Sequence, residues 1–466
     1  MPGDEMRLEH DLLGERAVPA AAYWGIHTLR AVENFPITGT TIAQYPDLIA
    51  ALACVKQAAA MANAELGLLD EARATAIVAA CEEIREGGLR DQFIVDPIQG
   101  GAGTSTNMNT NEVIANRALE LLGRPRGDYA FLHPNEHVNR SQSTNDVYPT
   151  AIRLALIGAA ERLADAMSGL RAAFAGKAAE FARVMKIGRT QLQDAVPMTL
   201  GQELGAYGVM LGEDVERLAE AAALLHEINL GATAIGTGIT TPASYAPLAC
   251  AHLAALSDRA LVGAPDLIEA TQDAGAFVQL SGVLKRIAVK LSKTCNDLRL
   301  LSSGPQAGFG ELLLPAVQAG SSIMPGKVNP VIPEVVNQIA FEVIGHDLTV
   351  TMAAEAGQLQ LNAFEPVMFR ALIESLGHLR AGCATLAERC VVGIRADLDL
   401  LRRRVDGSMA IVTALTPAIG YETATRIARE AQTTGTPVSD LVLAGGLLTA
   451  AQLARLLRAE ALTQPG

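Results

Sequence analysis

Apolar positions recur through the middle of the chain at alternating steps of three and four. Between Phe277 and Leu301 they are Phe277, Leu280, Leu284, Ile287, Leu291, Leu298 and Leu301, with Thr294 in the remaining slot. That spacing keeps one stripe of a helix apolar and forms a heptad seam. Leu204, Tyr207, Leu211, Val215, Leu218, Ala222 and Leu225 repeat it, and so do Ile152, Leu156, Leu163, Met167, Leu170 and Phe174. A fourth stretch carries Leu372, Leu376, Leu379, Cys383, Leu386 and Cys390, and a weaker fifth follows Pro333 through Val335, Ile339 and Val343. Long helices gain most of their stability by packing the apolar stripe. The five stretches therefore predict an all-α protein built on a long helical bundle. Their Ala- and Leu-rich faces predict packing against copies of the same chain.

The flanks are patterned differently. Residues 1–140 read as shorter helices and Gly/Asn-rich loops, and residues 396–466 as short helices. Among these, Thr449 is placed to cap a helix with Gln452 completing a capping box. The expected organisation is an N-terminal domain (1–140), a central bundle domain (141–395) and a small C-terminal domain (396–466). With 466 residues, 50% hydrophobic and 19% charged, the chain is not a disordered or linker-dominated protein. A net charge of −13 argues against nucleic-acid binding, which needs a basic face, and an aromatic content of 4% argues against RNA readout by stacking. No apolar run approaches the roughly 20 residues of a membrane span, and the first residues lack a basic-then-apolar secretory layout. The six cysteines form no C-x-x-C pair, so buried, reduced thiols in a cytoplasmic protein are expected.

Four short polar islands interrupt this apolar background: Gly100–Asn109, Ser141–Asp146, Gly188–Asp194 and Gly320–Pro330. Hydroxyls and amides dominate them. One such island would be a helix cap. Four at the ends of bundle helices predict a shared site for a carboxylate ligand, built from many neutral donors and a cation. The last island holds Ser321, Ser322 and Lys327 between Gly320 and Pro330, a loop with stiff segments. A nearby ammonium and backbone N–H donors favour a serine alkoxide, which can remove a weakly acidic C–H beside a carboxylate. The other islands can then supply donors for the charge that builds up. Two further motifs predict neither a metal nor a nucleotide site, and whether the His133–Glu136 region binds a ligand is left open. His133-Pro-Asn-Glu-His137 matches an H-x-x-E-H metal pattern, but a proline follows the first histidine and no further ligand motif accompanies it. Gly231–Gly238 is glycine-rich but lacks the Gly-Lys-Ser/Thr of a phosphate loop.

Gly320-Ser-Ser-Ile-Met-Pro-Gly-Lys-Val-Asn329 resembles the signature of the fumarase/aspartase superfamily. The likeness runs along essentially the whole chain. Gly188-Arg-Thr-Gln-Leu-Gln-Asp-Ala-Val-Pro197, Thr351–Asn362 and His27–Phe35 are spelled as in the aspartase branch, and Ala102 stands where fumarases carry a serine. The resemblance implies a three-domain, mostly helical subunit whose five-helix domains assemble as a homotetramer with a twenty-helix core. It also implies active sites shared between subunits. The implied reaction is reversible deamination of L-aspartate to fumarate and ammonium through an aci-carboxylate, with fumarate hydratase of class II as the alternative. An inactive scaffold and a dicarboxylate-binding protein are the other classes, and the intact Ser321, Lys327 and Asn329 count against both. The resemblance makes Ser321 the base that takes the C3 proton. Lys327, Asn329 and Thr190 hold the α-carboxylate, Thr104, Ser143, Thr144 and Ser322 the β-carboxylate, and Asn145, Gln191 and Thr104 the amino group. It implies no required cofactor and leaves divalent-metal activation open.

Overall fold

The computed structural model describes residues 5–463. It begins with a β-hairpin, β1 (Met6–Asp11) and β2 (Gly14–Pro19), followed by α1 (Ile26–Asn34), α2 (Pro46–Glu65), α3 (Glu71–Arg85) and α4 (Thr104–Leu121). The long α5 (Thr144–Glu180) leads into a second hairpin, β3 (Met185–Thr190) and β4 (Gln193–Thr199), and then α6 (Leu200–Ala223). Next come β5 (Glu227–Ile228), α7 (Tyr245–Ser257), β6 (Val262–Gly263), α8 (Leu267–Ala270) and α9 (Gly275–Leu301). They are followed by β7 (Leu312–Leu313), α10 (Val331–Glu355), α11 (Glu365–Arg389) and β8 (Arg395–Ala396). Five short helices close the chain: α12 (Leu398–Asp406), α13 (Ile411–Ile419), α14 (Tyr421–Thr434), α15 (Val438–Ala444) and α16 (Ala450–Leu456), ahead of a last turn, α17 (Ala459–Thr463). The strands form only two-stranded ribbons, so the all-α expectation holds.

The chain divides into two compact units. The first comprises 1–163, 217–286 and 342–378, and the second 164–216, 287–341 and 379–466. In the first unit, Ile77, Phe93, Val113, Ile114 and Leu132 make an apolar core around α2, α3 and α4. Removing each such side chain from water stabilises the fold by about 2 kcal/mol. The same unit ties three bundle helices together: the Ser281 hydroxyl of α9 donates to Asp347 of α10 at 2.9 Å, and His346 of α10 meets Ser375 of α11 at 2.9 Å. In the second unit Phe174 of α5 and Tyr207 of α6 pack edge to face, and Lys290 of α9 donates to Asp214 of α6 at 2.9 Å. There too Asn337 of α10 donates to the Ser292 hydroxyl of α9 at 2.9 Å. A separate small core of Ile411, Leu415, Ile427, Val438 and Val442 lies in α13–α15, and the capping box of Thr449 and Gln452 opens α16 as expected.

The predicted seams of α5, α9 and α11 are buried position by position, including Thr294. That of α6 holds at Leu204, Tyr207, Leu211, Leu218 and Leu225. The α10 seam differs. Val335 is exposed, and the buried row is Val336, Ala340, Val343, Asp347 and Val350. The carboxylate at Asp347 breaks the apolar pattern that the row otherwise shows. It is buried because Ser281 and Lys285 of α9 meet it.

Candidate active site

In the first unit two helix starts abut. Gly101, Ala102 and Gly103 all have positive φ and lead into Thr104 at the first turn of α4. A Cβ on Gly103 would stand 2.5 Å from the ring of Tyr148 in α5, so only glycine lets the two helices approach this closely. One turn into α4, Asn107 donates to the Thr144 hydroxyl oxygen at 3.0 Å. That leaves the Thr144 O–H as a donor. The Thr104 hydroxyl gives its proton to the Gly101 carbonyl at 2.7 Å, so its oxygen is an acceptor, a polarity that suits an ammonium. Ser143 precedes α5, and its hydroxyl accepts from the Asn145 N–H at 3.2 Å. The helix-capping reading of this island is thus realised, and three of its side chains (Ser143, Thr144 and Asn145) gather at the same helix start.

Beneath them lie two buried ionisable groups that the spacing of residues did not single out. Lys56 is fully buried in the alanine-rich α2 and donates to Asn139 at 2.8 Å and Gln142 at 3.0 Å. Asn107 and Asn111 donate to the same Asn139 oxygen, each at 3.2 Å. Asp146, also fully buried, accepts from the Ser143 N–H at 3.0 Å. Burial pulls the Lys56 ammonium down to about 7, against the opposing pull of Asp146. Burial likewise pushes the Asp146 carboxyl up to about 6, opposed by three backbone N–H donors and by Lys56. The signal was present in the sequence: Lys56 is the one cation in α2, inside an otherwise uncharged run from Leu48 to Ala64.

In the second unit the Ser321 loop is pinched at its neck. Asn329 donates from its side chain to the Gly320 carbonyl at 2.6 Å. A Cβ on Gly320 would stand 2.3 Å from the Lys327 carbonyl oxygen, so glycine is required for the closure. The Ser321 hydroxyl oxygen accepts the backbone N–H of Met324 at 2.9 Å and of Ile323 at 3.3 Å. Two N–H dipoles aimed at one oxygen favour its deprotonated form. Beyond the neck the loop is open: Ser322 and Lys327 are exposed, and Ile323 is 83% exposed.

Thr190 and Gln191 sit at the tip of the β3–β4 hairpin. Thr190 pairs with Gln193, so the turn has two residues, Gln191 and Leu192, with φ of 53° and 62°. Such a turn ordinarily takes Asn-Gly, and a non-glycine residue there carries about 1 kcal/mol of strain. Among the described residues no hydrogen bond joins this tip to the Ser321 loop. The H-x-x-E-H segment is a single turn in which backbone N–H groups occupy the Nδ1 atoms of both histidines, His133 from Asn135 and His137 from His133. Among the described residues no group of three His, Cys, Asp or Glu is placed to hold a metal.

A family model described as Lyase matches residues 14–345, and one described as Fumarase C C-terminus matches 411–464. The chain belongs to the lyase family. Its relatives include an aspartate ammonia-lyase of Pseudomonas fluorescens, 58% identical over 98% of this chain and 96% of that protein. A solved fumarate lyase:delta crystallin of Brucella melitensis, bound to cobalt, is 56% identical with a TM-score of 0.97, covering 99% of this chain and 100% of that one. The class II fumarase of Schistosoma mansoni is 33% identical with a TM-score of 0.92, over 98% of both chains. The superfamily resemblance, the fold class and the lyase chemistry expected from the sequence all stand.

Proposed function

We propose that the protein catalyses the reversible deamination of L-aspartate to fumarate and ammonium. The observation that carries this reading is the near-complete alignment, at 58% identity, with a relative named aspartate ammonia-lyase. The site geometry supports it. Lys327, Asn329 and Thr190 bind the α-carboxylate. Thr144, Ser143 and Ser322 donate to the β-carboxylate, and Thr104, Asn145 and Gln191 meet the amino group. Ser321, its alkoxide favoured by the Met324 and Ile323 N–H groups, removes a proton from C3. The electron pair moves into the β-carboxylate to give an aci-carboxylate dianion, which the surrounding donors stabilise by about 3 kcal/mol each. The dianion then collapses, the C2–N bond breaks with its electron pair on nitrogen, and ammonia leaves and is protonated to ammonium. No step needs a cofactor. The cobalt of the Brucella melitensis structure leaves metal activation as a separate property to be measured.

The active unit in this reading is a homotetramer in the cytoplasm with sites shared between subunits. An apolar stripe supports self-assembly: Phe341, Ile344, Leu348 and Met352 line one face of α10, and Met352 is 64% exposed. Six unpaired cysteines suit a reducing compartment. The segments 1–140, 141–395 and 396–466 are the three domains of the subunit. The separate cores within 31–138 and 411–453 agree with that division.

The test is the ultraviolet absorbance of fumarate on mixing the protein with L-aspartate or with L-malate. Signal from aspartate alone is the expected result. Signal from malate alone would make the protein a fumarate hydratase instead.

A further inference from the structure

The second turn of α5 carries a proline, inside the helix, where its missing N–H leaves a carbonyl without its helical partner. Pro149 has no N–H, so the Asn145 carbonyl four residues earlier loses its helical partner. A residue far along the chain replaces it: Asn229 donates from its side chain to that carbonyl at 3.0 Å. Asn145 in turn donates from its own amide to the Ala234 carbonyl at 2.8 Å. Asp146 completes the joint. One of its oxygens takes the Ser143 N–H, and the other takes the N–H of Gly231 at 3.1 Å and of Thr233 at 2.9 Å. Thr233 is held at φ 57°, a conformation a threonine adopts only when its surroundings fix it. The glycine-rich turn that matches no nucleotide motif is therefore bonded, residue by residue, to the start of α5.

We propose that the 229–234 turn, clamped by Asp146, is the positioning element that fixes the Asn145 amide with its oxygen free for the substrate ammonium. This deepens the reading of the site and rests on the role given there to Asn145. The logic is one of hydrogen-bond polarity. A carbonyl can accept only from the amide nitrogen, so the Ala234 carbonyl sets which end of Asn145 is spent internally. The end left over is an acceptor. An acceptor attracts an ammonium and cannot donate to a carboxylate, so the turn selects an amino substrate through Asn145 without touching the substrate. Asp146 and Asn229 are positioning residues: both Asp146 oxygens accept backbone N–H groups, and the Asn229 amide nitrogen donates to the Asn145 carbonyl and to the Thr271 hydroxyl at 3.1 Å.

The test is steady-state kinetics on L-aspartate for Asp146→Asn, Asn145→Ala, the double variant and Asn229→Ala, each in its native assembly. Asp146→Asn keeps the shape but turns an amide N–H toward a backbone N–H. The expected result is a fall in kcat/KM of about 100-fold, as for a misplaced binding group, with KM raised as well as kcat lowered. The double variant is expected to be no worse than the more damaged single variant, because both changes act through one side chain. Asn229→Ala, which removes no charge and serves if Asp146→Asn does not fold, shows the same raised KM with a loss of about 10-fold. A lower kcat at unchanged KM in Asp146→Asn and Asn229→Ala would mean only that less enzyme is folded, and would overturn the proposal. So would losses that multiply in the double variant. If Asn145→Ala itself keeps wild-type kinetics, the role given to Asn145 fails. If it is impaired while Asp146→Asn and Asn229→Ala are not, the positioning role alone fails.

Discussion

In the proposed reaction the start of α5 binds substrate and the Ser321 loop supplies the base, yet the two are built in opposite ways. The side chains of Thr144, Asn145 and Asp146 are each tied by hydrogen bonds to α4 or to the 229–234 turn, and a fully buried Lys56 lies beneath. The loop from Gly320 to Asn329 is held by its neck and by two N–H groups on Ser321, with its middle in solvent. The difference follows from what each must do. Groups that bind charge work best when fixed beforehand, because reorganising them during the reaction costs energy. A loop that delivers a base over a bound substrate must also open to admit it. Stability should therefore separate the two regions: substitutions in the loop change rates alone, and substitution of the buried Lys56 beneath α5 changes folding.

After the serine itself, the largest effect expected from that contrast is at Lys327. Lys327→Ala is expected to lower kcat/KM for L-aspartate by at least about 100-fold, because the proposed site loses its carboxylate-binding cation, and to leave the thermal midpoint where it was. Kinetics and calorimetry on the same preparation check it, and an unchanged rate would break the comparison at its catalytic side. Lys56→Met is the opposite case. It leaves the Asn139 and Gln142 oxygens and the Asp146 carboxylate buried without their cation, and costs about 3 kcal/mol of stability in denaturant titration. A variant as stable as the wild type would show that the buried pair does not support the site.

A smaller effect concerns pH. Glu365, buried at the start of α11, has its carboxyl pushed up to about 8 by burial, against the pull of Arg153. Its folded form holds the proton more tightly than the unfolded chain does. The stabilisation is therefore complete below the unfolded value near 4.5 and is lost as pH rises through 8. Glu365→Gln, which keeps the neutral shape, should gain on the wild type in thermal midpoint as pH rises from about 4.5 to about 8. Parallel curves for the two proteins would mean that Glu365 is already ionised in the fold.

The two regions also differed in how readily they could be read from the sequence. The seams of α5, α9 and α11 were legible because heptad spacing reports burial directly. On α10 the expected seam met the buried row at Val343 but ran one residue early at Val335 and Ile339, and the buried carboxylate of Asp347 kept the rest of the row from reading as apolar. The Ser321 loop was legible as chemistry because its hydroxyls, glycines and lysine are adjacent in the chain. The support beneath α5 was not. Lys56, Asp146 and Asn229 are far apart in sequence, and their hydrogen bonds join the middle of α2, the start of α5 and the 229–234 turn. The β3–β4 hairpin was hidden for another reason: Gln191 and Leu192 occupy left-handed positions that their side chains disfavour, so no turn signal marks them.

The central claim is that Ser321 supplies the base while the groups fixed around α5 supply binding. Ser321→Ala tests it most directly, with two readings on one protein: fumarate formation from L-aspartate, and affinity for succinate, a dicarboxylate with no amino group to lose. The account predicts turnover reduced by at least about 1,000-fold with succinate binding within a few-fold of wild type. Turnover above a few per cent of wild type, or succinate binding lost together with turnover, would contradict it.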